Sequence, residues 1–225
     1  MIRVFATADT HRLHEQLDIS AINGADWLIH CGDFGGFKEQ ETRSFFEWSH
    51  KIVARHKFMV LGNHDYYLMQ LEQREGTEGV RKLVQDYGFI YLNKTLHKVS
   101  VENRVVALAG LSYQSRDSDC FWAQDIGQTS LSVLITHNPP RGILDHVEKD
   151  SSHSTESPGH VYQTQTYGIG NDNIMALVTD LKPQYHFFGH CHEGHGQKKQ
   201  GDTLFVNAAA QKSRILLRPF QVVEV

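Results

Sequence analysis

Five short apolar runs in this chain end in side chains able to hold a divalent cation. Phe58–Leu61 runs into Gly62-Asn63-His64-Asp65, and Ile2–Ala8 into Asp9-Thr10-His11. Trp27–Cys31 leads to Gly32-Asp33, Leu131–Thr136 to His137, and Tyr185–Phe188 to Gly189-His190-Cys191-His192. Imidazole, carboxylate and side-chain amide are the donors that suit borderline and hard divalent ions. One aspartate after a strand is an ordinary turn former or helix cap, and one Gly-Asn step is an ordinary turn. Five such endings together imply one shared metal site. Runs of this length bounded by Gly or Asn read as strands, and open α/β sheets collect their ligands beyond the carboxyl ends of strands.

That donor set suits hydrolysis of a phosphate ester. The reaction needs a nucleophilic hydroxide near neutral pH and a sink for charge on the phosphoryl oxygens, and two divalent ions about 3.5–4 Å apart supply both. One carboxylate must bridge the pair; Asp33, ending an expected central strand, is the candidate. Asp9, His11 and His192 then complete one ion's shell, and Asn63, His137 and His190 the other's. In extended backbone His190 and His192 project to one side and Cys191 to the other, which makes Cys191 a packing residue. Two dications, less Asp9, Asp33 and a bridging hydroxide, leave about +1 with neutral imidazoles. The centre therefore attracts phosphate although the formal charge of the whole chain is −4. Asn63, where a third carboxylate would cancel that charge, is placed to face substrate. His64 is placed to protonate or stabilise the leaving oxygen, a role typically worth about 10²–10⁴-fold. Asp65 either orients His64 or caps a helix.

The elements that must position these residues follow a β–α–β rhythm, which indicates layered α/β architecture. Arg12–Ala21 reads as a short helix or loop, and Lys38–Arg55 as a helix with Phe45, Trp48 and Ile52 on one face. Tyr66–Tyr87 reads as helical in its second half, with a polar, loop-like centre at Glu72–Gly79. Phe89–Leu92, His97–Val101 and Arg104–Leu108 read as strands, with Glu102-Asn103 as a hairpin turn. Gly110–Gly127, with Phe121-Trp122, is either a pocket wall or a packed surface loop. Residues 148–168 are polar and aperiodic, the signature of a lid or of disorder, with His153, His160, Tyr162 and Tyr167 as candidate substrate contacts. Asn171–Leu181 is a helix capped by Asn171, and Thr203–Asn207 and Ile215–Val225 are strands.

The chain has 225 residues, 40% of them hydrophobic, with no run of 18 apolar residues. That suits one domain over 1–225 and excludes a membrane-spanning helix. Met-Ile-Arg-Val-Phe goes straight into a strand, which reads as no signal peptide. Three cysteines without a zinc-type spacing point to a reduced, cytoplasmic setting. The acidic balance argues against a stable nucleic-acid complex.

Asp9-x-His11, Gly32-Asp33, Gly62-Asn63-His64-Asp65, His137 and Gly189-His190-Cys191-His192 resemble the ordered motif set of the calcineurin-like metallophosphoesterases. The resemblance spans Asp9 to His192. It implies an α/β fold of the four-layer α/β/β/α metallophosphoesterase sandwich type and a dinuclear centre of Mn, with Fe, Zn or Ni as alternatives. Leu28–Phe34, Thr136–Pro140, His192–Gly196 and Val206-Asn207-Ala208 resemble a group of small phosphodiesterases related to the mammalian metallophosphoesterase-domain-containing proteins. That implies a small nucleotide or cyclic-nucleotide phosphodiester as substrate. Some mammalian members carry Gly-Gly where this chain has Gly189-His190, so a full dinuclear centre is implied here. Phe34-Gly35-Gly36 stands where Ser/Thr protein phosphatases carry Asp-Arg, which speaks against that role. Arg12, where many members have Gly, either contacts substrate or is solvated; His14 and His195 are further pocket candidates. The alternatives are a phosphomonoesterase, a DNA nuclease, and a non-catalytic scaffold on this fold. The oligomeric state is open.

Overall fold

The apolar runs become strands because their alternate side chains face two different buried layers. The computed structural model describes residues 1–22, 24–102, 104–113, 132–148, 166–213 and 215–225. Its first half runs β1 (Arg3–Thr7), β2 (Ala25–His30), α1 (Glu39–His50), β3 (Ala54–Met59), α2 (Tyr66–Gln85), β4 (Phe89–Tyr91), β5 (Thr95–Val101) and β6 (Arg104–Leu111). Then come β7 (Val133–Thr136), β8 (His146–Glu148), β9 (Thr166–Gly168), α3 (Asp172–Leu181), β10 (Tyr185–Phe188), β11 (Gly196–Gln200) and β12 (Thr203–Asn207). Finally β13 (Gln211–Ser213), β14 (Leu216–Leu217) and β15 (Gln221–Glu224) close the chain.

Two large sheets form, in the orders β15-β1-β2-β3-β4 and β11-β12-β10-β7-β6-β5, beside the two-stranded pairs β13-β14 and β8-β9. β1 to β4 are mutually parallel, as are β6, β7, β10 and β12, while β15, β5 and β11 pair antiparallel. Parallel pairing puts the carboxyl ends of the site-bearing strands on one edge. Val4, Ala6, Trp27, Ile29 and Phe58 of the first sheet pack with Leu108, Val133, Ile135 and Phe187 of the second. Their sequence neighbours Phe5, Leu28 and Met59 point the other way, against Phe45, Phe46 and Trp48 of α1 and Leu68 and Val84 of α2. On the far side Leu134, Phe188 and Phe205 meet Leu177 and Val178 of α3. The layers are therefore α/β/β/α, and both faces of each central strand are buried, which is why those strands read as unbroken apolar runs.

Several elements differ from their sequence reading. α1 stops at His50, because Ala54–Met59 is needed to pair with β2. α2 is helical from Tyr66, through its polar centre, with one break at Gly76 (φ 72°, ψ 179°). Its polar residues face outward or are used: Glu72 accepts from the Tyr91 hydroxyl and the Asn93 amide. Arg12–Ala21 holds two 3-10 turns, His14–Gln16 and Ile19–Ile22. Ile215–Val225 divides into β14 and β15. Asn103, Phe121-Trp122 and the 149–165 part of the expected lid lie outside the described residues. The segments flanking that lid pair antiparallel as β8 and β9, with Tyr167 exposed.

Candidate metal centre

The chain turns sharply as it leaves the sheet edge. Asp9, Asp33 and His190 have φ of 53°, 61° and 71°, and His11 and Arg12 follow at 42° and 71°. Left-handed backbone is uncommon and costly for non-glycine residues and concentrates at functional sites. Glycines make the crossings possible. A Cβ on Gly62 would fall 2.1 Å from Asp33 Oδ1, one on Gly32 2.3 Å from Gly62 N, and one on Gly189 2.3 Å from Asp9 Oδ2.

Asp65 locks these turns together. It stands at the N-cap position of α2, yet its carboxylate bonds none of that helix's own N–H groups. Instead it accepts from Gly62 N (2.8 Å), Asp33 N (2.8 Å), Phe34 N (3.0 Å) and Gly35 N (2.8 Å). Both sequence expectations for Asp65, orienting His64 and capping by its side chain, give way to this one.

The candidate ligands converge in two groups. Asn63 Oδ1 lies 2.9 Å from His137 Nε2 and 2.9 Å from His190 Nδ1, which are 3.2 Å apart. His192 Nε2 lies 3.3 Å from His11 Nε2 and 3.4 Å from Asp9 Oδ1. Asp33 Oδ2 stands between the groups, 3.5 Å from His137 Nε2 and 3.9 Å from His11 Nε2. Its Oδ1 accepts from the His64 N–H at 2.7 Å. His190 and His192 reach different groups by a route the sequence did not suggest. The backbone here is not extended: His190 is left-handed and His192 opens a 3-10 turn. Cys191 is buried as packing, its thiol 3.4 Å from the Asp145 carbonyl and pushed up to about 12 by burial.

These residues fit divalent cations. Donors on one ion at about 2.0–2.2 Å sit roughly 3.0–3.5 Å from one another, close to the spacings seen. Asp9 Oδ1 is buried with no hydrogen-bond partner among the described residues, while Oδ2 accepts from His190 N. His137 Nδ1 donates to the Cys31 carbonyl at 2.7 Å, which leaves the Nε2 lone pair facing inward. Burial, reinforced by the charges of Asp9 and Asp65, pushes the Asp33 carboxyl well above the usual carboxylate range. Burial also opposes charge on Asp9, but contact with His192 and the neighbouring imidazoles outweigh it and hold that carboxyl low. Burial lowers His11 and His190 to about 4, so both are neutral donors near pH 7.

His64 is exposed beside the centre, its ring edge-on to His11 at 5.0 Å, in a cavity of about 200 Å³ that Arg12 also lines. Arg12 is paired there with Glu41 at 2.9 Å. His195 has both ring nitrogens engaged, by the Ala209 carbonyl and Gln221, and lines neither this cavity nor the second one. His14 is packed among Phe45 and Trp48 rather than in a pocket. His30 is buried against Phe34 and Phe45, its Nδ1 accepting from Gly32 N. His50 and His146 are exposed, and His56 and His97 are half-buried.

Two residues around the centre had no site role in the sequence reading. Tyr113 brings its ring to 5.8 Å from His190 and, with Asn138 and Arg141, lines a second cavity of about 390 Å³. Asn207, ending β12, donates to the Cys191 and Leu144 carbonyls and so holds the loop that carries His190 and His192. A sixth apolar run ending in Asn was the available signal for it.

The family model for calcineurin-like phosphoesterase matches residues 2–194. A UPF0046 protein of Caenorhabditis elegans is 30% identical over 92% of this chain and 69% of its own length. Metallophosphoesterase domain-containing protein 1 of Homo sapiens is 25% identical over 92% of this chain and 65% of its own. Among solved structures, phosphopantetheinyl hydrolase from Mycobacterium tuberculosis shares the fold, with a TM-score of 0.54 at 14% identity over 92% of this chain and 88% of that one.

Proposed function

The chain belongs to the calcineurin-like phosphoesterase family, and we propose that it is a phosphodiesterase of small nucleotide or cyclic-nucleotide esters. It works with two divalent cations, manganese foremost and iron, zinc or nickel as alternatives. The observation that carries this reading is the position of Asp33 Oδ2, within 3.9 Å of His11 Nε2 and 3.5 Å of His137 Nε2, where one oxygen serves both donor groups. Asp9, His11 and His192 with Asp33 would hold one ion; Asn63, His137 and His190 with Asp33 would hold the other. The bound pair supplies a nucleophile at neutral pH and a sink for phosphoryl charge.

The chain's own residues do the rest. Asp65 and the three close-packed glycines hold the donor-bearing turns in place, which limits the reorganisation that binding requires. The bond from His64 N to Asp33 Oδ1 sets the imidazole over the cavity, where it protonates or stabilises the leaving oxygen. Arg12 stands at the cavity lip paired with Glu41, and reaches an anionic ester by giving up that partner. No helix among the described residues is long and apolar enough to cross a membrane. Cys31 and Cys191, both free, fit the cytoplasmic setting proposed for the reaction.

The test strips metal with a chelator and restores Mn²⁺ while following an aryl phosphodiester, the matching monoester and single-stranded DNA. Loss on chelation, recovery with Mn²⁺ and preference for the diester are expected, with DNA uncut. A faster monoester selects the phosphomonoesterase alternative, and turnover indifferent to chelation ends the proposal.

A further inference from the structure

We propose that the cavity beside His64 receives a flat aromatic group carried by the phosphoester, with Phe37 as the surface on which that group stacks. This rests on the reading of the centre as a phosphoesterase site. The cavity, about 200 Å³, is lined by the rings of His11, His64, Tyr66 and Phe37, with Arg12, Lys38 and Glu41 as its charged groups. That is smaller than the roughly 300 Å³ at which whole-ligand pockets begin, so it suits one group of a substrate.

Phe37 is 69% exposed. A lone exposed phenylalanine needs no explanation, but this one is built in. Its inner face lies flat on Tyr66, with centroids 3.9 Å apart and planes 8° apart. Tyr66 meets His64 edge-on at 5.7 Å, and His64 meets His11 edge-on at 5.0 Å. A row of rings thus leads from a candidate metal ligand to an open aromatic face.

The loop under Phe37 is held at several points. The Gly35 N–H bonds Asp65, and the Gly36 carbonyl accepts from Tyr67 N at 3.0 Å. Glu41 packs so closely that a Cβ on Gly36 would fall 2.2 Å from its Oε2. The platform is therefore part of the same pinned loop as Asp33, and its preorganisation lowers the cost of binding. The guanidinium of Arg12 is held by Glu41 at 2.9 Å, so its charge is shared with a carboxylate of the same cavity and its planar face is what it offers a ring. Stacking of this kind is tolerant of ring identity, so a nucleobase and a simple aryl group present the same chemistry.

Isothermal titration of the Mn²⁺-loaded full chain with adenosine monophosphate, phenyl phosphate and methyl phosphate separates the possibilities. The aromatic esters should bind roughly tenfold or more tighter than methyl phosphate. Phe37→Ala should erase that advantage without changing methyl phosphate, and Phe37→Trp should keep it. Adenosine monophosphate above phenyl phosphate assigns a nucleobase; equality of the two assigns any aryl ring. Equal affinity for all three in the unmodified protein, or an advantage that survives Phe37→Ala, overturns the inference alone. If none of the three binds, the inference falls, and chelator-sensitive turnover of the aryl phosphodiester decides the phosphoesterase reading separately.

Discussion

The carboxylate of Asp65 accepts four backbone N–H groups, from Gly62, Asp33, Phe34 and Gly35. In Asp65→Asn one acceptor oxygen becomes an N–H donor facing other donors, and each stranded buried donor costs about 1–3 kcal/mol. Urea titration should show a loss of roughly 3 kcal/mol or more; wild-type stability would show that the pins are dispensable. His64→Ala should keep metal by elemental analysis but lose about 10²–10⁴-fold in turnover, and unchanged turnover would remove His64 from the mechanism. His30 and His186 are held neutral, burial pushing both down from 6.5 to about 3. Between those pH values the unfolded chain binds the extra protons, so stability is full above 6.5 and falls on acidification. The slope reaches up to about 1.4 kcal/mol per pH unit per histidine. His186→Phe should flatten the slope of unfolding free energy against pH by close to one proton; an unaltered slope would mean His186 titrates normally in the fold.

At the scale of elements, the site depends on strand ends crossing without side chains between them. Gly62→Ala would drive a methyl to within 2.1 Å of Asp33 Oδ1, so Mn²⁺ binding should weaken at least about tenfold even where circular dichroism stays native. Retained binding would show that the loops give way easily. The β–α–β order and the strand ends were legible because periodicity and turn residues are local signals. α2 was only half legible. Its polar stretch Glu72–Gly79 looked like loop, yet Leu68, Met69 and Leu71 bury one face of the first half, and Glu72 is tied to Tyr91 across the packing. The 3-10 turns between β1 and β2 were legible only as a short helix or loop, because the few buried residues there, His14, Leu17 and Ile22, show no period.

Across the whole molecule, three carboxylates, Asp9, Asp33 and Asp65, lie buried where two sheets meet, and cations at the first two would relieve their repulsion. Scanning calorimetry should therefore show Mn²⁺ raising the melting temperature of stripped protein by about 5 °C or more, since a chain of this size shifts about 2–4 °C per kcal/mol. Asp9→Asn should gain less from Mn²⁺; an equal gain would exclude Asp9 as a ligand. The amino-acid sequence by itself determined the donor types, their order and their attachment to the ends of apolar strands. Those are properties of residue chemistry and of short-range pattern. Only the tertiary structure decided the rest: the left-handed turns at Asp9, Asp33 and His190, the bonds of Asp65, the seat of Asp33 Oδ2 between both donor groups, and the engagement of His195 elsewhere. Each depends on how strands far apart in the chain register against one another, and no local pattern carries that information.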